Sequence, residues 1–235
     1  MFDRARAGKA GRAARKRGRA IAVDPVVKAL LDRHGRTHAD ELRIPLRRNT
    51  PSPLFRLLCA ALLASARISA DLAVTGARAL SDAGWTTAEK MAGATWEQRV
   101  KVLNDAGYAR YDESTSRLLG ETADLLSDRY GGDLRRLRDT ADRDLDRERE
   151  LLKECKGIGD VGADIFLREV QLVWDEVHPF ADDRALRAAR ALDLGADAEA
   201  LTRHVSRGDY PRLVAALVRT ELAGDADAVR EAASG

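Results

Sequence analysis

The feature that most constrains this chain is a pair of glycines, Gly157 and Gly159, around one apolar residue, Ile158. Both flanks are amphipathic. Before the pair, Leu151, Leu152 and Cys155 share one helical face; after it, Val161, Ile165, Phe166 and Leu172 do the same. Glycines at those two positions permit a turn too tight for side chains. The first N–H groups of the second helix then have no intrahelical partner and point outward, at the positive end of the helix dipole. A phosphate oxygen suits such a place. Asp160 opens that helix, where a carboxylate fits the dipole and can cap. Taken alone, Gly157-Ile158-Gly159 is better explained by a plain helix–turn–helix with no ligand.

Elsewhere the pattern is helical throughout. Asp24 caps and Pro25 opens a helix over 23–34, with Val27, Leu30 and Leu31 on one face. A proline-containing linker follows over 36–53. Leu54 to Leu63 is a strongly apolar helix suited to the centre of the core. A polar break, Ser65 to Ser69, separates it from a helix ending near Leu80. Short helices over 87–92 and 95–106 precede a long one over 112–130, with Leu118, Leu119, Ala123, Leu125 and Leu126 inward. A short turn near Asp133 and Leu134 leads into residues 141–155 before the glycine pair, and the mixed charges of 139–150 predict a solvated face. Helices are expected from Asp182 to Leu192, over 197–205, over 209–222 and in an alanine-rich tail. No stretch of useful length alternates as a strand would, so the predicted fold class is all-α.

Charge is uneven. Residues 1–20 carry eight basic side chains against Asp3, a net of +7; the remaining 32 basic and 37 acidic side chains give −5. The basic tail is expected to be disordered in isolation and can neutralise phosphates without sequence preference, or act as a solubilising tail. An acidic body rules against a long basic face and leaves room for a local one around Lys153, Lys156 and Arg168. No run approaches the ~20 apolar residues of a membrane span, and the basic start lacks the apolar core of a secretory signal. Cys59 and Cys155 sit in apolar helical patterns and read as buried free thiols. A cytoplasmic protein is expected. His34, His38, His178 and His204 show no metal-ligand spacing, so no metal site is predicted.

Residues 151–190 resemble the helix-hairpin-helix superfamily of base-excision DNA glycosylases, in its endonuclease III branch. The family's hairpin runs Leu-Pro-Gly-Val-Gly; here it is Cys155-Lys156-Gly157-Ile158-Gly159. The family then opens a helix with Val-Asp-Thr-His-x-x-Arg; here the run is Ala181-Asp182-Asp183-Arg184-Ala185-Leu186-Arg187, after a somewhat longer linker. Ser65-Ala66-Arg67 is similar to the family's Ser-Ala-Gln segment.

The resemblance, spanning most of 50–195, implies a six-helix barrel over 51–166 ending in the hairpin. It implies a second helical lobe from 21–50 with 167–235, and DNA in the cleft between. It implies that Asp182 is the catalytic carboxylate, which physics alone would read as a helix cap. It implies that Lys156, Gly157, Ile158, Gly159, Val161 and Gly162 meet the DNA, and that Arg67 fills the gap left by the vacated base. The partner is double-stranded DNA with a flipped base, bound by a monomer. Three departures matter. The position of the family's Schiff-base lysine is Val161, which cannot attack a sugar, so a monofunctional hydrolase is expected. No cysteine follows Cys155, so the branch's iron–sulfur cluster cannot form; no cofactor is expected, although the resemblance allows a monovalent cation at the hairpin carbonyls. Gly162 and Asp112 replace family polar and basic residues. Two other readings stand beside the glycosylase: a non-catalytic helix-hairpin-helix DNA-binding protein, and a helical protein-interaction module.

Overall fold

A computed structural model describes residues 24–66, 68–109 and 111–235. The basic tail and Arg67 lie outside the described residues. The described residues are helical and contain no strand. In chain order the helices are α1 (Pro25–His34), α2 (His38–Glu41), α3 (Pro51–Ala64), α4 (Ala70–Asp82), α5 (Ala88–Ala92), α6 (Trp96–Asp105) and α7 (Asp112–Tyr130). They continue with α8 (Leu134–Thr140), α9 (Leu145–Lys153), α10 (Asp160–Val170), α11 (Asp183–Ala191), α12 (Ala198–Leu201), α13 (Tyr210–Ala223) and α14 (Ala226–Ser234). Short 3₁₀ turns occupy Leu46–Arg48 and Asp175–Val177. None of these helices is long and apolar enough to cross a membrane.

The side chains form two hydrophobic clusters. The larger is built around α3, whose residues from Pro53 to Leu63 are nearly all buried. Helices α4, α7, α8 and α10 pack on it, and Phe166, Trp174 and Tyr108 fill it. The smaller joins Val27 and Leu30 of α1 to Ala185, Ala188 and Ala189 of α11 and to Leu213, Val214 and Leu217 of α13. The two ends of the chain therefore share one core. Leu42, Ile44 and Leu46, and likewise Leu167, Val170 and Val177, belong to the larger cluster. By core membership the divisions fall near residues 31–38 and 178–184, earlier at the first than the 50/51 boundary and later at the second than the 166/167 boundary expected from sequence.

Three local expectations are corrected. The segment 36–53 is no simple linker: Thr37 makes a capping box for α2, and α3 starts at Pro51. Proline suits the first turn, where its missing N–H costs nothing. The expected turn after Gly132 continues as α8, capped by the Asp133 side chain. The expected helix over 197–205 stops at Leu201. Both cysteines are free and buried.

Candidate functional site

The turn between α9 and α10 is fixed from below. Leu152, Cys155 and Ile158 are buried in the larger core, and the Ile158 N–H donates to the Cys155 carbonyl at 3.0 Å. Gly157 has φ +88°, and a Cβ there would sit 3.0 Å from Leu118 Cδ1. Gly159 differs: its backbone is extended, and a Cβ would meet no atom within 4 Å. Packing thus demands a glycine at 157 and leaves open space at 159. The first bond of α10 runs from the Ala163 N–H to the Gly159 carbonyl at 2.9 Å, so the N–H groups of Asp160, Val161 and Gly162 precede the helical ladder. No side chain among the described residues caps this end. Gly162 is buried, where a Cβ would lie 3.3 Å from Ile158 Cδ1. Ile158 and Gly162 can therefore offer a ligand only backbone, and Lys156 and Val161 expose side chains.

The local basic face expected around Lys153, Lys156 and Arg168 is reduced by ion pairs. Lys153 Nζ lies 3.1 Å from Glu150 and 3.2 Å from Asp160. The hydrogen bond from Lys153 holds the Asp160 carboxyl below its usual range. Arg149 pairs with Asp164 at 2.5 Å. Arg168 is buried. Lys156 has no ion pair among the described residues.

Asp182 is the cap of α11. Its Oδ1 accepts from the Arg184 N–H at 2.8 Å and the Ala185 N–H at 3.2 Å. Its Oδ2 accepts from Arg168 Nε. Both groups are 9% exposed. The expected carboxylate is therefore a helix cap and half of a buried ion pair, and it joins α10 to α11 across the two cores. Its neighbour Asp183 is exposed. Buried Gln171 secures the approach: its Nε2 donates to the Phe180 carbonyl at 3.0 Å, and its Oε1 accepts from the Phe180 N–H at 2.9 Å. Trp174, fully buried edge-on to Phe166, is core, whereas Phe180 faces the site.

Two cavities meet here. One of about 350 Å³ is lined by Val161, Arg168, Phe180, Asp182 and Arg187, among others. The structure thus brings Val161 and Asp182 to one opening. The other, about 450 Å³, lies between the cores. Its apolar walls are Val161 and Ile165 of α10 facing Val218 and Leu222 of α13, with Ser65, Ala66 and Ile68 at one side. Val161 is 39% exposed and Leu222 64% exposed, two of the three exposed large hydrophobic residues among those described. Arg36, Arg168, Arg184 and Arg219 also line it, against one acidic residue, Glu169. Of these, Arg168 and Arg219 are ion-paired with Asp182 and Glu41, whereas Arg36 and Arg184 have no ion pair among the described residues. Sequence reasoning did not place Arg36, Arg184 or Leu222 there. For Arg168 a signal exists: Val161, Ile165 and Arg168 fall at i, i+4 and i+7, one helical stripe.

No family model matches the chain, and no curated protein matches it. A solved structure of a trapped endonuclease III–DNA covalent intermediate, an estranged-adenine complex, is similar at 18% identity over 71% of this chain and 73% of the other, with a TM-score of 0.46.

Proposed function

We propose that this protein is a DNA glycosylase that hydrolyses the N-glycosidic bond of a damaged or mispaired base in double-stranded DNA, acting as a monomer on a flipped nucleotide. The observation that carries the reading is the single opening shared by Val161 and Asp182, beside a hairpin whose uncapped helix end and open Gly159 leave room for a backbone phosphate. The C1′–N bond breaks as a water oxygen bonds C1′, and the water proton passes to solvent or to the departing base. Positive charge develops on the sugar, and a fixed carboxylate nearby stabilises it. Asp182 is that carboxylate. Val161 has no amine, so the reaction ends at the abasic site without Schiff-base strand cleavage. No iron–sulfur cluster is invoked. The carbonyls of Lys156 and Gly157, which accept from Thr122 Oγ1 at 3.0 Å and Ser65 Oγ at 3.4 Å, each keep a lone pair. They are the groups that would hold a monovalent cation, and no step is routed through one.

The engagement of both Asp182 oxygens favours a second reading, a non-catalytic DNA-binding protein of the same build. Base release from lesion-bearing duplexes separates the two. The glycosylase reading expects strand breaks that appear only after alkali and that Asp182→Asn loses by about 10²-fold or more while keeping duplex affinity. Breaks without alkali would overturn the monofunctional assignment, and equal release by Asp182→Asn would remove Asp182 from the chemistry.

A further inference from the structure

We infer that Arg168 is the specificity-determining residue of the cleft, and that the cleft selects bases presenting carbonyl oxygens over amino-bearing and cationic bases. This rests on the glycosylase reading and adds the chemical class of its substrate. Arg168 Nε is committed to Asp182, which fixes the plane of the guanidinium. Its two terminal amines have no hydrogen-bond partner among the described residues, and they are not sealed in the core: the residue lines both cavities. A buried guanidinium edge, held in place and left open toward a cavity, is a donor pair awaiting acceptors. Arginine pairs in this bidentate way with the O6/N7 edge of a purine, and one of its amines can serve a single pyrimidine carbonyl.

The rest of the wall agrees. Glu169, the one carboxylate there, is already used: its oxygens accept from the His38 N–H at 2.6 Å and the Ala39 N–H at 2.8 Å. Arg219 is paired with Glu41 at 2.8 Å, whereas Arg36 and Arg184 have no side-chain partner among the described residues. The polar side chains left to read a base are thus dominated by donors. An exocyclic amino group pointed at Arg168 would leave both partners unsatisfied, a costly outcome in a confined site. A base cationic from N-alkylation would meet the unpaired guanidinium charges of Arg36 and Arg184. Among the described residues no phenylalanine, tyrosine or tryptophan lines the 450 Å³ cavity to offer such a cation an aromatic face. Val161, Ile165, Val218 and Leu222 offer aliphatic contact to either face of any planar ring.

The test is base release by the full chain from otherwise identical duplexes carrying uracil, 5-hydroxyuracil or hypoxanthine on one side, and mispaired adenine or N3-methyladenine, which present an amino group and no carbonyl, on the other. Release from the carbonyl group is expected to exceed that from the second group by about 10- to 100-fold in kcat/KM. Arg168→Lys keeps a cation beside Asp182 and loses the planar donor edge. It is expected to lower all rates through Asp182 and, in addition, to collapse the ratio toward unity. The ratio is the readout that a merely structural role of Arg168 would not move. Equal or better release of adenine or N3-methyladenine by the unaltered chain overturns the inference, whether or not the variant folds. An unchanged ratio in folded Arg168→Lys overturns it as well. No release from any duplex would instead bring down the glycosylase reading on which it stands.

Discussion

Gly157 and Gly159 look alike in the sequence and do different work. A side chain at 157 is strained twice, by φ +88° and by contact with Leu118. Gly157→Ala is expected to destabilise the protein by about 1–2 kcal/mol. At 159 the backbone is extended and the space is open, so Gly159→Ala is expected to leave stability within about 0.5 kcal/mol of the parent. If a phosphate approaches the uncapped end of α10, that methyl group stands in its way, and duplex affinity falls. Thermal melts beside duplex titrations measure both. A Gly159→Ala protein that melts early but binds DNA normally would reverse these roles. Asp182 carries the opposite lesson. The cap was legible from an aspartate ahead of a helical run, but the Arg168 partner fourteen residues earlier was not, because a single chain does not display which buried charges meet.

At the scale of elements, the least anticipated feature is the junction of α8, α9 and the turn at Asp175–Val177. The charge-rich run through α9 predicts a solvated face, yet Glu148 on that helix is fully buried, and no group donates a hydrogen bond to either of its oxygens among the described residues. It lies against Glu176, which Arg138 grips through Nε and Nη2 together, the latter at 2.6 Å. Burial, followed by that neighbouring carboxylate, pushes the Glu148 carboxyl up to about 8. Burial works against ionisation of Glu176 too, but the Arg138 bonds outweigh it and hold that group at about 2. Glu148 therefore stays protonated in the folded state at neutral pH while ionising in the unfolded chain. Its contribution to stability is full below the ordinary carboxyl range near 4.5 and is lost as pH rises toward about 8. Glu148→Gln carries no charge to expose. Its melting temperature is expected to decline less than the parent's between pH 5 and about 8. Parallel slopes for the two proteins would show that Glu148 is ionised in the fold. The packing is also why the sequence misled: apolar periodicity marks a buried face, but a buried carboxylic acid beside an ion pair has no periodic signature.

Over the whole molecule, the helical class and most helix bounds followed from apolar spacing and caps, as in α7, whose bounds at Asp112 and Tyr130 agree with the reading of 112–130. Tertiary placement was less legible. Leu222 reads as one member of an amphipathic helix until α13 is set opposite α10, where it faces Val161 across the cleft. Arg36 reads as a linker residue until both ends of the chain are joined in the smaller core. Two polar ties then hold the two cores in register, Arg168 to Asp182 and Arg219 to Glu41. A carboxylate, an apolar floor and unpartnered arginines converge on that cleft, and their joint purpose is best tested by looking for the product itself. The most direct measurement is mass-spectrometric detection of free base after incubating the full chain with lesion-bearing duplexes, with strand integrity and duplex binding read in the same samples. The account predicts a released base and an unbroken abasic strand. Retained binding with no free base from any duplex would contradict it and leave a DNA-binding protein without the reaction.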